Sequence, residues 1–105
     1  MKLIGRQGDV FIYREEKHER KIPVVENAVI ALGESTGHKH VLTKSGEDSV
    51  IRWLQEQERQ LVSIEKGSGV LVHEEHKKHT LPMGDYVFGI QQEFDPIERR
   101  RRVQD

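Results

Sequence analysis

Cysteine is absent from this 105-residue chain, which removes disulfides, thiolate nucleophiles and thiolate metal ligands together. Any metal would have to be held by imidazole, carboxylate or water. Long apolar runs are also missing. Nothing approaches the roughly 18 consecutive residues of a membrane helix, and the opening MKLIGRQGDVFIYREEK breaks into glycine and charge too early for a signal peptide. The expectation is a cytoplasmic protein with no membrane partner. Neither sign of charge prevails: 17 Lys and Arg face 18 Asp and Glu, a formal net charge of -1, so no overall field draws the chain to nucleic acid. Aromatic residues are few, at 6%, and do not alternate with basic ones as a base-stacking surface requires. Only 34% of residues are hydrophobic against 33% charged, which limits the core to a small one of Val, Ile, Leu and the few aromatics. A thin β-sandwich or barrel suits that composition.

What is present reads as short strands separated by turn residues. The nine Gly and three Pro are dispersed, without repeat, low-complexity block or Ser/Gly linker, and the length fits one domain. Residues 8–14 (GDVFIYR) alternate, placing Val10 and Ile12 on one face and Phe11 and Tyr13 on the other. The charged stretch Glu15 to Lys21, which contains His18, reads as a solvated loop. VVENAVIALGE then supplies β-branched residues with a bend at Asn27 and ends near Gly33. Gly37 opens the strand HKHVLT, whose period of two puts His38, His40 and Leu42 on one face.

After the turn SGEDS, residues 50–65 (VIRWLQEQERQLVSIE) fit either an amphipathic helix or a hairpin turning at Glu56 to Glu58. Val50, Ile51, Trp53, Val62 and Ile64 favour the hairpin. VLVH, residues 70–73, is a short strand that runs into an irregular EEHKKHT. LPMGDY forms a tight turn, and DYVFGIQQEF is the clearest strand, with Tyr86, Phe88, Ile90 and Phe94 on one face. Pro96 stops it. One all-β domain is predicted over residues 1–97, followed by a charged tail over 98–105.

Six histidines without a cysteine point to nitrogen ligands, and five of the six fall in two tight clusters. Residues i and i+2 of a strand lie roughly 6.5–7 Å apart on one face, close enough for His38 and His40 to converge on one ion. The second cluster, HEEHKKH, offers His73, Glu74, Glu75, His76 and His79 where the chain can bend after a strand. A metalloprotease HExxH is excluded because Lys77 stands where its second His belongs, and the inverted HxxEH because Val72 stands where its first belongs. The prediction is a divalent ion (zinc, nickel, iron or manganese) on His38, His40, His73 and His76, with an open position for water or a small-molecule ligand. Glu74 and Glu75 are candidates for a ligand, an imidazole N–H acceptor or a general base, and His79 for a further ligand. His18, alone among charges, reads as an ordinary surface histidine.

The segments GESTGHKH, HEEH and LPMGDYVFGIQQEFDP resemble a family of uncharacterised small bacterial proteins with paired GExTGHxH and HEEH-LPxGxY segments. The resemblance runs from Gly8 to Asp105. It implies a compact cupin-like, jelly-roll type barrel, and extends the metal expectation to His38, His40, His73 and His76 alone. Against the cupin pattern itself, the HxH is matched, but Lys44 and Ser45 stand where a Glu belongs. The PxG turn is matched by Pro82 and Gly84, while Val87 replaces the His that follows it. Standard cupin activities therefore do not carry over.

Three other features are weaker. Gly33, Ser35, Thr36 and Gly37 lack the Lys and helix of a phosphate loop. Ser35 and Thr36 lie near histidines, but no oxyanion element accompanies them. Arg99 to Arg102 form the only basic run and read as a solvated tail. Three readings remain: a small metal-binding β protein; a non-catalytic interaction or regulatory module in which the histidines are incidental; and, ranked below simple binding because no substrate pocket is legible, an enzyme of the dioxygenase, isomerase or hydrolase kind that uses the open metal position with Glu74 or Glu75 as base. Exposed strand edges make a homodimer compatible with each.

Overall fold

The computed structural model describes residues 1–32 and 38–91. The expected GESTG turn, Phe94, Pro96 and the charged tail lie outside the described residues. Ten strands run β1 (Lys2–Gln7), β2 (Val10–Glu15), β3 (Val24–Val25), β4 (Asn27–Leu32), β5 (Lys39–Lys44), β6 (Val50–Glu56), β7 (Arg59–Lys66), β8 (Gly69–Val72), β9 (His79–Leu81) and β10 (Gly84–Ile90). They build two antiparallel sheets, ordered β1-β2-β10-β7-β6-β3 and β4-β5-β8-β9. The sheets do not close into a barrel. They lie as a sandwich, so the sandwich expectation holds and the cupin-like barrel does not.

The alternation read in the sequence decides which residues meet between the sheets. Val10, Ile12, Ile51, Val62, Ile64, Tyr86 and Phe88 from the six-stranded sheet pack on Ala28, Ile30, Leu42, Leu71 and Leu81 from the four-stranded one. Burying each large side chain contributes about 1.5–3 kcal/mol. Gln60 adds a polar tie between the layers: its amide nitrogen donates to the Ile30 carbonyl at 2.8 Å, and its oxygen accepts the Trp53 indole N–H at 2.7 Å. The outer face of the larger sheet is covered in part by Ile22, packed with Leu61 and Val87. That covering explains why β10 is apolar on both faces.

Residues 50–65 form the hairpin and not the helix, with Glu56 opposite Arg59 across a two-residue loop and Gln57 at φ +52°. The VVENAVIAL region is two strands, because the chain bends at Glu26 and passes from one sheet to the other. β10 ends at Ile90, which is exposed, so the expected apolar face covers Tyr86 and Phe88 only. His18 corrects the surface reading. Its Nε2 donates to the carbonyls of Tyr86 (2.9 Å) and Val62 (3.1 Å), and its backbone N–H donates to Asp85 (2.8 Å), fastening the 16–23 segment to the sheet. Ser63 also donates to Asp85 at 2.8 Å, but with the His18 ring committed to carbonyls this trio is structural and no nucleophile relay.

Two strands that the sequence pattern does not announce, β1 and β9, shape one end of the sandwich. β1 pairs with β2 through a two-residue Gly8–Asp9 loop, and Gly8 takes φ +55°, which glycine adopts at the first loop position without steric cost. β9 returns beside β8, with His79 opposite Leu71. The bend between β8 and β9, residues 73–78, therefore closes over that end, beside the start of β5 and the Gly8 turn.

Candidate metal centre

Four histidines meet at that end. His40 belongs to β5, which pairs with β8 from Val41–Val72 through Lys44–Gly69, so His40 and His73 continue the two strands side by side. Their ring centroids are 4.3 Å apart. His38 lies just before β5 and meets His73 edge-on at 5.8 Å. His76, on the bend, is 4.6 Å from His73 and 6.0 Å from His40, nearly parallel to the latter at 11°. The structure thus brings the rings of His38, His40, His73 and His76 into one cluster across 33 positions of chain between His40 and His73.

The donor atoms that approach most closely form a different set. One ligand atom each from His38, His73 and Glu74 lies within 4.8 Å of the other two. Donors on a tetrahedral ion at about 2.1 Å sit roughly 3.4 Å apart, so modest side-chain rotation closes this group. Glu74 is aimed there by its carboxylate accepting the Lys39 backbone N–H at 3.2 Å. Its carboxyl is held below the ordinary 4.5, first by its own backbone N–H, then by Lys39, His38 and His73, so it is a ready anionic donor. Glu75 accepts the bond from His38 Nδ1 at 3.0 Å, the carboxylate–imidazole pairing that leaves Nε2 as the ligand atom. Its backbone N–H donates to His73 Nδ1 at 3.0 Å. Ligation through His73 Nε2 therefore requires a proton to leave that nitrogen. His79 is outside the group; its ring lies 3.4 Å from where a Cβ on Gly5 would stand.

Gln7 is the residue that sequence reasoning missed. Its side chain is buried, and its amide NH2 donates to the carbonyls of Leu71 and Lys77, both at 2.9 Å. With both hydrogens committed, its oxygen faces His40 Nδ1 at 2.8 Å, so Nδ1 carries the proton and Nε2 the lone pair. One amide thus pins the 73–78 bend to β8 and fixes the His40 tautomer. The Gly-Asp dipeptide before an alternating run is a hairpin signature that would have located this strand end.

Burial lowers the pKa of His40 below its ordinary 6.5, and the neighbouring His73 and His76 lower it further. The unfolded chain takes up a proton near 6.5 and the folded one only at lower pH. Between those values the unfolded state binds more protons, so stability falls as pH drops below 6.5. Urea denaturation of metal-free protein at stepped pH is expected to show this loss, and His40→Asn to remove its share of the slope. The Glu74 contribution is lost separately, only below 4.5.

A family model described as "Domain of unknown function (DUF8820)" matches residues 6–91, a span that includes Gln7, Gly8 and all four clustered histidines. No curated protein and no solved structure matches the chain.

Proposed function

The chain belongs to the DUF8820 family, and since that membership brings no activity with it, we propose from the donor geometry that this is a metal-binding β-sandwich whose ion sits on His38, His73 and Glu74. The carrying observation is the mutual approach of those three donor groups within 4.8 Å. Two imidazoles and one carboxylate are the protein ligands of open zinc sites and of facial non-haem iron sites. Zinc, nickel, iron and manganese are all compatible with them. Three protein donors leave a position for water or a small anionic or neutral ligand.

The test is calorimetric titration of chelator-stripped, untagged protein with zinc. Wild-type protein is expected to bind with micromolar or tighter affinity, to be stabilised by about 2.7 kcal/mol at zinc concentrations 100 times Kd, and so to unfold at higher temperature. The double variant His38→Ala/His73→Ala is expected to lose at least 100-fold in affinity while keeping its β circular dichroism. No heat and no thermal shift in the wild type would overturn the proposal. The other class, an interaction module, draws support from exposed Leu3 and Ile4 on edge strand β1 and Val29 and Leu32 on edge strand β4. Partner binding through those edges would be indifferent to a chelator.

A further inference from the structure

We infer that the free edge of β4 pairs antiparallel with β4 of a second copy of this chain, about a two-fold axis between Ile30 and Ala31. The inference is independent of the metal centre. β4 ends the four-stranded sheet, with β5 on one side and no strand on the other among the described residues. Such an edge offers a row of backbone N–H and C=O groups to another extended chain, and proteins guard it with charge, proline or brevity. The other sheet edges among the described residues carry such guards: β1 has Lys2 and Arg6, β3 is two residues long and β9 three. β4 is six residues, NAVIAL, without charge or proline in a chain that is 33% charged.

The strand is also complementary to itself. Val29 and Leu32 face outward, 45% and 75% exposed. Between them the register slips at Val29–Ala31, and the consecutive Ile30 and Ala31 both turn to the core, so the two outward residues are three positions apart. Opposed residues of an antiparallel pair lie on the same face. About the axis between Ile30 and Ala31, Val29 stands opposite Leu32 of the second copy and Ile30 opposite its Ala31, and symmetry repeats both pairs. Outward residues meet outward ones and inward residues inward ones. A slip of one residue would set outward Val29 against inward Ala31. The contact also continues an existing row: Val29 is opposite Val41, and Val41 opposite Val72, so Leu32 of the second copy extends a line of three valines. No like charges face each other in these pairs, as a contact between identical surfaces requires. An acidic or basic partner strand would find no counter-charge on β4.

The experiment is sedimentation equilibrium of full-length, untagged protein at stepped concentrations up to about 1 mM. Chelator is present throughout, so that a shared metal ion cannot join two chains. One strand pair lies at the small end of protein interfaces, below about 1,200 Å² in total, so the dimer is expected to be reversible. The mean mass should rise from 12.2 kDa towards twice that value as concentration increases. Val29→Lys and Leu32→Glu each set a charge against an apolar side chain twice per dimer, and each should weaken association by about 10-fold or more. The double variant V29K/L32E sets each new lysine opposite a new glutamate across the axis and should recover most of that loss. Leu3→Lys, on the β1 edge, should associate as the wild type does. All three positions are exposed, so the variants are expected to keep the wild-type circular dichroism. A mass of 12.2 kDa at every concentration overturns the inference. So does a dimer that Val29→Lys leaves intact or that Leu3→Lys abolishes. A double variant weaker than both single ones overturns it too, since the axis would then lie elsewhere.

Discussion

Gln7→Leu is expected to lower the free energy of unfolding by about 3–5 kcal/mol, because it leaves three polar groups short of a partner, each worth roughly 1–3 kcal/mol. They are the His40 Nδ1–H and the carbonyls of Leu71 and Lys77, all now served by one amide. Leucine is close to glutamine in volume, so the loss is one of hydrogen bonding and not of packing. A domain with about 5–15 kcal/mol of total stability would feel such a change strongly. Zinc affinity should fall as well, by about 10–100-fold as for other groups just beyond a metal's ligands, because the same amide holds the Lys77 carbonyl and with it the bend that carries His73 and Glu74. Urea titration reads the first effect, and calorimetry on the folded protein reads the second. Unchanged stability would show that the Gln7 network is not formed in solution.

Ile64→Ala is expected to cost a similar 3–4 kcal/mol by a different route. Ile64 is 2% exposed on β7 and reaches across the sandwich to Gly69 of β8, where a Cβ would come within 2.7 Å of its Cδ1. Leu42 and Ile51 border the same spot, so truncation opens a cavity between two sheets that cannot move together freely. His73 lies four residues along the chain from Gly69, roughly 13 Å of extended strand. Zinc affinity of the folded Ile64→Ala protein should therefore match the wild type. The pair of variants separates the two roles: equal losses of stability, with a loss of metal affinity in Gln7→Leu alone.

The strands legible in the sequence were those with one buried face. Val10 and Ile12, His40 and Leu42, and Ile51 with Val62 and Ile64 alternate because one side of each meets the opposite sheet. β1 gave no such signal, since only Gln7 of its six residues is buried and Leu3 and Ile4 lie exposed at the sheet edge. Its one inward residue is polar, so hydrophobic periodicity could not find it. The crossing at Glu26 was also hidden: a sheet change needs a bend, and a bend within one strand looks the same in sequence.

The histidine cluster was legible for a related reason. A period of two joined His38 to His40, and the polar string after Val72 announced a bend. Which donors converge was not legible, because residues 73–78 follow no regular period. Their directions are set by distant backbone: Lys39 N–H holds the Glu74 carboxylate, and Gln7 ties the Lys77 carbonyl down. The PxG turn that resembled a cupin motif sits elsewhere. Leu81 pairs with Gly69, so Pro82 and Gly84 lie beyond the end of β8 away from His73, where Tyr86 donates to the Pro82 carbonyl at 2.6 Å.

Anomalous diffraction at the zinc edge, from crystals grown with zinc, tests the central claim most directly. The expected result is an anomalous peak at about 2.0–2.2 Å from nitrogens of His38 and His73 and a carboxylate oxygen of Glu74. A well-ordered cluster with no peak, or zinc bound only at sites remote from these three side chains, would contradict it.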